Sequence, residues 1–280
     1  KRWGDFLEYG LTTVAVAEHG TPYIVASDVE RMIELTPQNE VEFRTVLGTI
    51  RDRISAGEQV PIPGLLLSER GHYMSIHFVG YSMLTAVPFV ILDGIGVNPW
   101  KAYQVMNYLP VLALAAACYL LLGSARRAWV GIALFVLCGA LPYLNWTSPE
   151  VFTMGSLLAG LILFTIGRPI AGAILVGLAA TVGLMLALAI PALSTVNWNS
   201  GASGPMRYVV WGASPLLYLA LAWLALQRRW PLALMTAVLV LQFGAMWHAK
   251  HYEYTWFSPL GRWVLETAPS WYNPDPEIFY

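Results

Sequence analysis

Long apolar runs dominate the chain from Tyr103 onward, and short polar stretches separate them. Six of these runs approach the roughly 17–25 residues that a membrane-spanning helix requires. They cover Tyr103–Leu122, Ala128–Leu144, Val151–Ile166, Pro169–Leu193, Val209–Leu226 and Pro231–Trp247. The pattern predicts an all-α integral membrane protein with about six transmembrane helices, which form a bundle over residues 103–247.

The short connections between these runs indicate how the bundle is oriented. Three of them carry basic residues and no acidic residue, and these basic residues are Arg126, Arg127, Arg168, Arg228 and Arg229. Because cytoplasmic loops are enriched in Lys and Arg, these connections are predicted to lie in the cytoplasm. A further apolar stretch, Ile76–Leu92, would break this orientation if it also spanned. We therefore predict that it forms a helix that lies in or dips into the outer interface.

The remaining polar parts of the chain are then predicted to lie outside the cytoplasm. Residues 1–102 form a long extracytoplasmic first loop that contains amphipathic juxtamembrane helices, and residues 248–280 form a C-terminal cap on the same side. Two short helices are predicted within the loop, over Ala26–Glu34 and Val41–Ala56. Charged residues of both signs alternate in the second helix, which is typical of a solvated face.

An interfacial amphipathic helix is predicted at the start of the chain. Its apolar stripe contains Trp3, Leu7, Leu11 and Val14. Asp5 and Glu8 fall together with Thr12 on the opposite face, and the two carboxylates are one turn apart. One interpretation is a solvated polar face, as in most such charge patterns. The other is an acid–base pair, because one carboxyl group can hold a proton while its neighbour stays charged.

The composition agrees with a membrane protein and excludes several other classes. The chain is 57% hydrophobic and 12% charged, with a mean hydropathy of +0.55, whereas soluble domains carry about 25% charged residues. An ordinary soluble globule, a disordered chain and a collagen are therefore excluded. The net charge of −1 gives no reason to expect a nucleic-acid partner. Cys118 and Cys138 both lie in apolar runs, so neither a disulfide framework nor a cysteine metal site is predicted.

Two polar outer connections contain candidate functional residues. Glu150 follows Ser148 and Pro149, which is an ordinary helix start. A carboxylate that faces a membrane bundle at this depth is equally a functional candidate. Between residues 194 and 208, small residues around Asn199 precede Arg207. Arg207 either grips a phosphate group bidentately or extends to lipid headgroups from a flexible turn.

A third group of candidates begins the C-terminal cap. His248 and His251 are three residues apart, and Glu253 follows closely, so a metal site on one helical turn is one interpretation. No third ligand at a suitable spacing is clear, and we do not assign a metal site. A phosphate-binding rim made by His248, Lys250 and His251 beside Arg207 is the interpretation that we favour.

The order of these features resembles the GT-C integral-membrane glycosyltransferases, which use polyprenyl-phosphate sugars as donors. This group includes protein mannosyltransferases and the lipid A aminoarabinose transferases. Trp3–Tyr9 resembles the acidic motif of their first extracytoplasmic loop, and His77–Ser82, leading into Pro88, resembles the helix before their second span. Asn107–Arg127 resembles that span with its basic inner end. Ser148–Glu150 resembles an acidic position at a later outer helix start.

The resemblance implies a sugar transfer from a polyprenyl-phosphate donor to a lipid, glycan or protein acceptor, with inversion at the anomeric carbon. Asp5 would be the general base on the acceptor hydroxyl. Glu8 and Glu150 would orient the acceptor or hold a divalent cation as cofactor. We expect Arg207 and Lys250, from their residue type and side of the membrane, to stabilise the leaving phosphate. The family has a transmembrane helix ahead of the acidic loop, so we expect such a helix before the first residue of this chain.

Two other functions are considered. The chain is alternatively a non-catalytic membrane subunit whose exterior loops bind a partner. A transporter is disfavoured, because it would carry ionisable residues near the bilayer centre and inverted repeats. Here Asn107 and Gln242 are the notable polar residues of the spans. The expected location is a bacterial inner membrane with the site on its exterior face, in contact with membrane lipids.

Overall fold

The structure is a computed structural model that describes residues 5–60, 62, 64–68, 70–75, 77, 79–182, 207–226 and 232–249. These residues are mostly helical, with two short strands, which confirms the prediction of an all-α architecture. The chain divides into two compact units. The first comprises the described residues of Lys1–Leu109 and Tyr143–Pro149, and the second those of Pro110–Pro142 and Glu150–Tyr280.

The first unit contains four helices and a small hairpin among the described residues. These elements are α1 (Asp5–His19), α2 (Ala26–Glu34), α3 (Val41–Ala56), β1 (Leu65–Leu67), β2 (Tyr73–Ser75) and α4 (Val79–Gly94). A 3₁₀ turn over Pro99–Lys101 leads into α5 (Ala102–Leu122), which continues past Leu109 into the second unit. The bounds of α2 and α3 are those predicted from the sequence.

Helix α1 lies at the centre of the first unit and packs against α2, α4 and β2. Leu7, Leu11 and Val14 of the predicted apolar stripe are all buried inside the protein. Gly10 allows α1 to approach its neighbours closely, because a Cβ atom there would lie 2.9 Å from the Met32 Cε atom. The core therefore surrounds α1, and the helix is not a surface element.

The hairpin positions the chain that enters α4. Strands β1 and β2 are antiparallel, with Leu66 opposite Met74. The Ile24 amide donates a hydrogen bond of 2.9 Å to the Tyr73 carbonyl, which joins the hairpin to the segment between α1 and α2. The residues that follow β2, including His77, are thereby held beside α1.

The second unit contains five further helices among the described residues. They are α6 (Ala125–Phe135), α7 (Glu150–Thr165), α8 (Pro169–Val182), α9 (Arg207–Leu226) and α10 (Leu232–Ala249). Helices α7 and α8 pack closely where Gly160 faces Gly172. A Cβ atom on Gly172 would lie 2.7 Å from the Gly160 carbonyl oxygen. Small residues at such crossings are typical of helix contacts in membranes.

One predicted helix is broken in the structure. The apolar segment Ala128–Leu144 forms α6, a π-helical turn over Val136–Ala140 and a 3₁₀ turn over Leu141–Tyr143. Pro142 lacks the amide hydrogen that a continuing α-helix requires, so the regular helix ends before it. The segment is therefore not one regular helix.

One helix of the described residues is long and apolar enough to cross a membrane, by its length and composition. It covers Pro99–Leu122 and has 24 residues. The other apolar helices are shorter, and the predicted segment Pro169–Leu193 continues past the described end of α8. The six-span bundle and the three-part division at residues 102 and 247 remain predictions.

Candidate functional site

The first turns of α1 bring two carboxylates together with a histidine from the segment before α4. Asp5 and Glu8 are three residues apart, so their side chains lie on the same helix face. The Nε2 atom of His77 lies 2.8 Å from Glu8 Oε2 and 3.5 Å from Asp5 Oδ1. We call these three residues the carboxylate–histidine cluster.

The two carboxylates of the cluster have different surroundings. Glu8 is buried, and a Cβ atom on Gly64 would overlap its carboxylate, so the chain at Gly64 lies directly against it. The contact between Glu8 Oε2 and His77 is an ion pair that lacks a well-aligned hydrogen bond. The Asp5 side chain is 18% exposed. Glu8 is thus enclosed, whereas Asp5 remains accessible from one side.

His77 carries a positive charge at neutral pH. Burial lowers its pKa, but the close contacts with the negative charges of Asp5 and Glu8 outweigh burial and raise the pKa to about 9. The imidazole also stacks on the Tyr9 ring, with centroids 4.5 Å apart and an interplanar angle of 7°. This stacking fixes the ring plane, so that Nε2 points towards both carboxylates.

Asn107 holds the turn that carries Trp146. Its amide nitrogen lies 3.1 Å from the Tyr143 carbonyl oxygen and 2.9 Å from that of Trp146, and donates to both. Its amide oxygen accepts a hydrogen bond of 2.9 Å from the Tyr81 hydroxyl. Because Asn107 is completely buried in α5, it ties residues 143–146 to the first unit.

Trp146 connects this turn to the carboxylate–histidine cluster. Its indole N–H donates to Asp5 Oδ2 over 3.4 Å. Beside this contact lies an open pocket of about 210 Å³. The lining residues are Phe6, Trp100, Tyr103, Gln104, Asn145, Trp146 and Thr147. Asp5 therefore stands at the edge of a pocket with aromatic and neutral polar walls.

The arrangement is suited to proton transfer at Asp5. A general base must lie within reach of the proton that it removes, and Asp5 adjoins the open pocket. The positive charge of His77 lies beside both carboxylates, and a carboxylate oxygen can accept a proton from a substrate hydroxyl. Glu8, enclosed against Gly64, instead binds His77 and holds it in place.

The structure corrects one interpretation of α1. The sequence alone is compatible with a solvated face for Asp5, Glu8 and Thr12. Glu8 and Thr12 are buried, and the Thr12 hydroxyl donates to the Glu8 carbonyl oxygen over 2.9 Å. This face packs inside the first unit because the hairpin and the start of α4 cover it.

The other predicted site residues are not joined to this cluster by the described contacts. Glu150 is the first residue of α7 and is completely buried in the second unit. Arg207 begins α9 and His248 lies in the last turn of α10, but their side chains fall outside the described part of the chain. Asn199, Lys250 and His251 also lie outside the described residues.

Sequence reasoning did not assign a role in the site to three residues. They are His77, which belongs to the motif that leads into Pro88, Asn107, a polar residue of a predicted span, and Trp146. For Asn107 the sequence does contain a signal. An amide side chain within an apolar run indicates hydrogen-bond partners nearby, because buried polar groups require partners. The partners themselves come from distant segments, which no local pattern specifies.

The described residues hold no group of three His, Cys, Asp or Glu side chains arranged for a metal ion. In the carboxylate–histidine cluster, His77 supplies the positive charge between the two carboxylates. That Glu8 and Glu150 hold a divalent cation stays a prediction.

Neither a protein-family model, nor a curated protein, nor a solved structure matches this chain.

Proposed function

We propose that this protein is a membrane glycosyltransferase of the GT-C type. It moves a sugar from a polyprenyl-phosphate donor to a hydroxyl group of a lipid, glycan or protein acceptor. The observation that carries the proposal is the position of Asp5, in a charged cluster with His77 and Glu8 and at the edge of an open pocket. The acidic motif at this position also resembles that of the family.

In the proposed reaction, Asp5 accepts the proton of the acceptor hydroxyl. The acceptor oxygen forms a bond to the anomeric carbon of the donor sugar, from the face opposite the phosphate. The bond between the anomeric carbon and the phosphate oxygen breaks, and its electron pair leaves with the polyprenyl phosphate. The products are the inverted glycoside, the lipid phosphate and a proton on Asp5.

Geometry favours Asp5 over Glu8 as the base. The contacts of Asp5 with His77 and Trp146 are 3.5 Å and 3.4 Å, longer than the roughly 2.7–3.2 Å of a normal N–H···O hydrogen bond. A carboxylate at the side of a pocket can turn towards a substrate hydroxyl. Glu8 lacks this access, because Gly64 and His77 enclose it.

The leaving phosphate needs stabilisation of its negative charge. Arg207 and Lys250 are the proposed groups, from their residue type and their predicted side of the membrane. Glu150 is proposed to orient the acceptor. Proposed contacts with the donor also include Asn199, His248 and His251.

The proposed location is the exterior face of a bacterial inner membrane. Large apolar side chains are exposed along one face of α4, namely Met83, Val87, Val90 and Ile91. Soluble monomers rarely expose contiguous apolar patches of large size. This face is consistent with the helix predicted to lie in the outer interface, and the polyprenyl chain of the donor would occupy the adjoining bilayer.

The proposal is tested by sugar transfer with the purified full-length protein, using polyprenyl-phosphate sugars and envelope lipid and glycan acceptors. Asp5→Asn removes the base and retains the shape of the side chain. We expect the variant to lose at least about 100-fold in kcat, the usual scale of general-base catalysis. Glu40→Gln, which removes a carboxylate outside the cluster, is the matched control and should transfer at the wild-type rate.

Two outcomes would contradict the proposal. Transfer that survives in Asp5→Asn at matched expression would remove Asp5 as the base. The absence of transfer from every donor by an intact, folded protein would instead favour the partner-binding membrane subunit.

A further inference from the structure

We propose that the pocket beside Asp5 binds a single neutral sugar ring, with one face of the ring packed on Trp146 and its hydroxyls on the polar rim. This inference rests on the proposed function, because it names the part of a substrate that the site takes. The occupant is defined by the walls of the pocket and by its size.

The floor of the pocket is a rigid aromatic surface. Phe6 and Trp100 pack edge to face with ring centroids 4.9 Å apart, and Trp100 is nearly parallel to Tyr103 at 6.5 Å. All three residues are buried. A floor built from core residues keeps its shape when a ligand enters, so little ordering of the protein opposes binding.

The rim of the pocket is polar and uncharged. Gln104 and Asn145 are exposed and offer amide donors and acceptors, and Thr147 offers a hydroxyl. Among the residues that the structure describes, no Lys, Arg, Asp or Glu lines the pocket. A phosphate or carboxylate ligand would require a cationic group, so the described lining favours a neutral ligand that has several hydroxyls.

Trp146 gives the rim a flat apolar element. It is 40% exposed, and its turn is held by Asn107 and by a hydrogen bond of 3.2 Å from the Trp146 amide to the Tyr143 carbonyl. The C–H groups on one face of a sugar ring match an aromatic face, whose negative potential attracts them. The hydroxyls at the ring edge would then meet the amides.

The volume of the pocket suits one sugar ring. Its volume of about 210 Å³ lies below the roughly 300–1,000 Å³ of pockets for drug-sized ligands. An extended glycan or an acyl chain would leave most of its length outside. Because Asp5 adjoins Trp146, one hydroxyl of a bound ring would lie near the carboxylate.

The inference is tested first by binding, which does not depend on turnover. The probes are methyl glycosides of common neutral sugars, added to the purified full-length protein in a detergent without a sugar headgroup. Saturation-transfer difference NMR should show binding of at least one glycoside to the wild-type protein. Trp146→Ala should weaken that binding about tenfold, the change that corresponds to 1.4 kcal/mol.

The controls separate the pocket from general effects of tryptophan loss. Trp129→Ala removes an exposed tryptophan of the second unit and should bind like the wild type. Gln104→Ala is a second test in case Trp146→Ala does not fold. It removes an amide from the exposed rim of the pocket, so it should also weaken sugar binding. Equal affinity of the wild type, Trp146→Ala and Gln104→Ala, or no binding by the wild type, would overturn the inference.

Transfer assays then identify the source of the sugar. A rise in the KM of the acceptor alone assigns the pocket to an acceptor sugar, and a rise in the KM of the donor alone assigns it to the donor sugar. If Asp5→Asn abolishes transfer and Trp146→Ala changes neither KM, the inference fails and the proposed function stands. If sugar binding depends on Trp146 but no donor supports transfer, the proposed function fails and the sugar site stands.

Discussion

His77 is held in its charged form by two carboxylates that would otherwise repel each other. Glu8 is enclosed next to Asp5, and the imidazolium lies against both carboxylates. The stacked ring of Tyr9 fixes the position of the imidazole. The surroundings of Asp5 therefore depend on a residue far away in the sequence.

Replacing His77 should change the pH dependence of stability. The pKa of His77 is raised to about 9 in the folded protein, above the roughly 6.5 of an unfolded chain. Its contribution to stability is thus fully present below about pH 6.5 and is lost as the pH rises through about 9. We expect the Tm of the wild type to exceed that of His77→Gln near pH 6.5, and the difference to shrink towards pH 10.

Thermal unfolding in detergent, followed by circular dichroism at several pH values, measures this difference. His72→Gln is the matched control, because His72 is an exposed histidine that stacks on Tyr23 and has no role in the cluster. A constant difference in Tm between the wild type and His77→Gln from pH 6.5 to 10 would contradict the assigned charge of His77.

At the scale of elements, the site is assembled by three segments that are distant in sequence. Helix α1 supplies the carboxylates, the segment between β2 and α4 supplies His77, and the turn after residue 142 supplies Trp146. Asn107 joins the last segment to α5 through its amide. A single buried side chain thereby contacts three carbonyls of the turn that carries Trp146.

Asn107→Leu should destabilise the first unit and disturb the pocket. The substitution leaves the Tyr81 hydroxyl and the carbonyls of Tyr143, Leu144 and Trp146 without their partner, and each buried unsatisfied group costs about 1–3 kcal/mol. We expect a lower Tm, measured by thermal unfolding, and weaker binding of the sugar that depends on Trp146. Tyr81→Phe, which removes one hydrogen bond and retains the amide contacts, should have a smaller effect on both.

A result in which Tyr81→Phe weakens sugar binding as much as Asn107→Leu would contradict this role. It would mean that the contacts of the Asn107 amide with the turn do not decide the position of Trp146.

The parts of this site that the sequence predicts are those whose residues lie close together in the chain. The helical periodicity of α1 placed Asp5 and Glu8 on one face, because both residues lie within two turns of one helix. Periodicity does not show what covers a polar face, so the sequence is equally compatible with a solvated Glu8. The partners His77 and Gly64 reach Glu8 through the hairpin, and no signal near residue 8 indicates them.

At the scale of the whole molecule, exposed apolar surface supports the proposed location in a membrane. Among the described residues, large apolar side chains are exposed on α5, α8 and α10, for example Leu112, Ile170 and Leu241. In water such surfaces would favour aggregation. Together with the spanning-length helix Pro99–Leu122, they are consistent with a protein that stays in the membrane when salt or alkaline carbonate is applied.

The proposed orientation predicts where the chain can be labelled. In a variant with Cys118 and Cys138 replaced by Ala, Asn39→Cys should react in intact cells with a thiol reagent that does not cross membranes. Ala125→Cys, between α5 and α6, should react after permeabilisation alone, because its connection is predicted to be cytoplasmic. Both positions are exposed. Equal labelling of both in intact cells would contradict the orientation.

The sequence by itself determined the elements and the character of the chain. Hydrophobic periodicity and length predicted the helices, including the bounds of α2 and α3, because such patterns arise within a few turns of one segment. The tertiary structure decided what surrounds them. It buried Glu8 beneath Gly64, placed His77 between two carboxylates and turned Trp146 towards Asp5 through Asn107. These contacts join residues that are distant in the chain, and they depend on packing rather than on any local pattern.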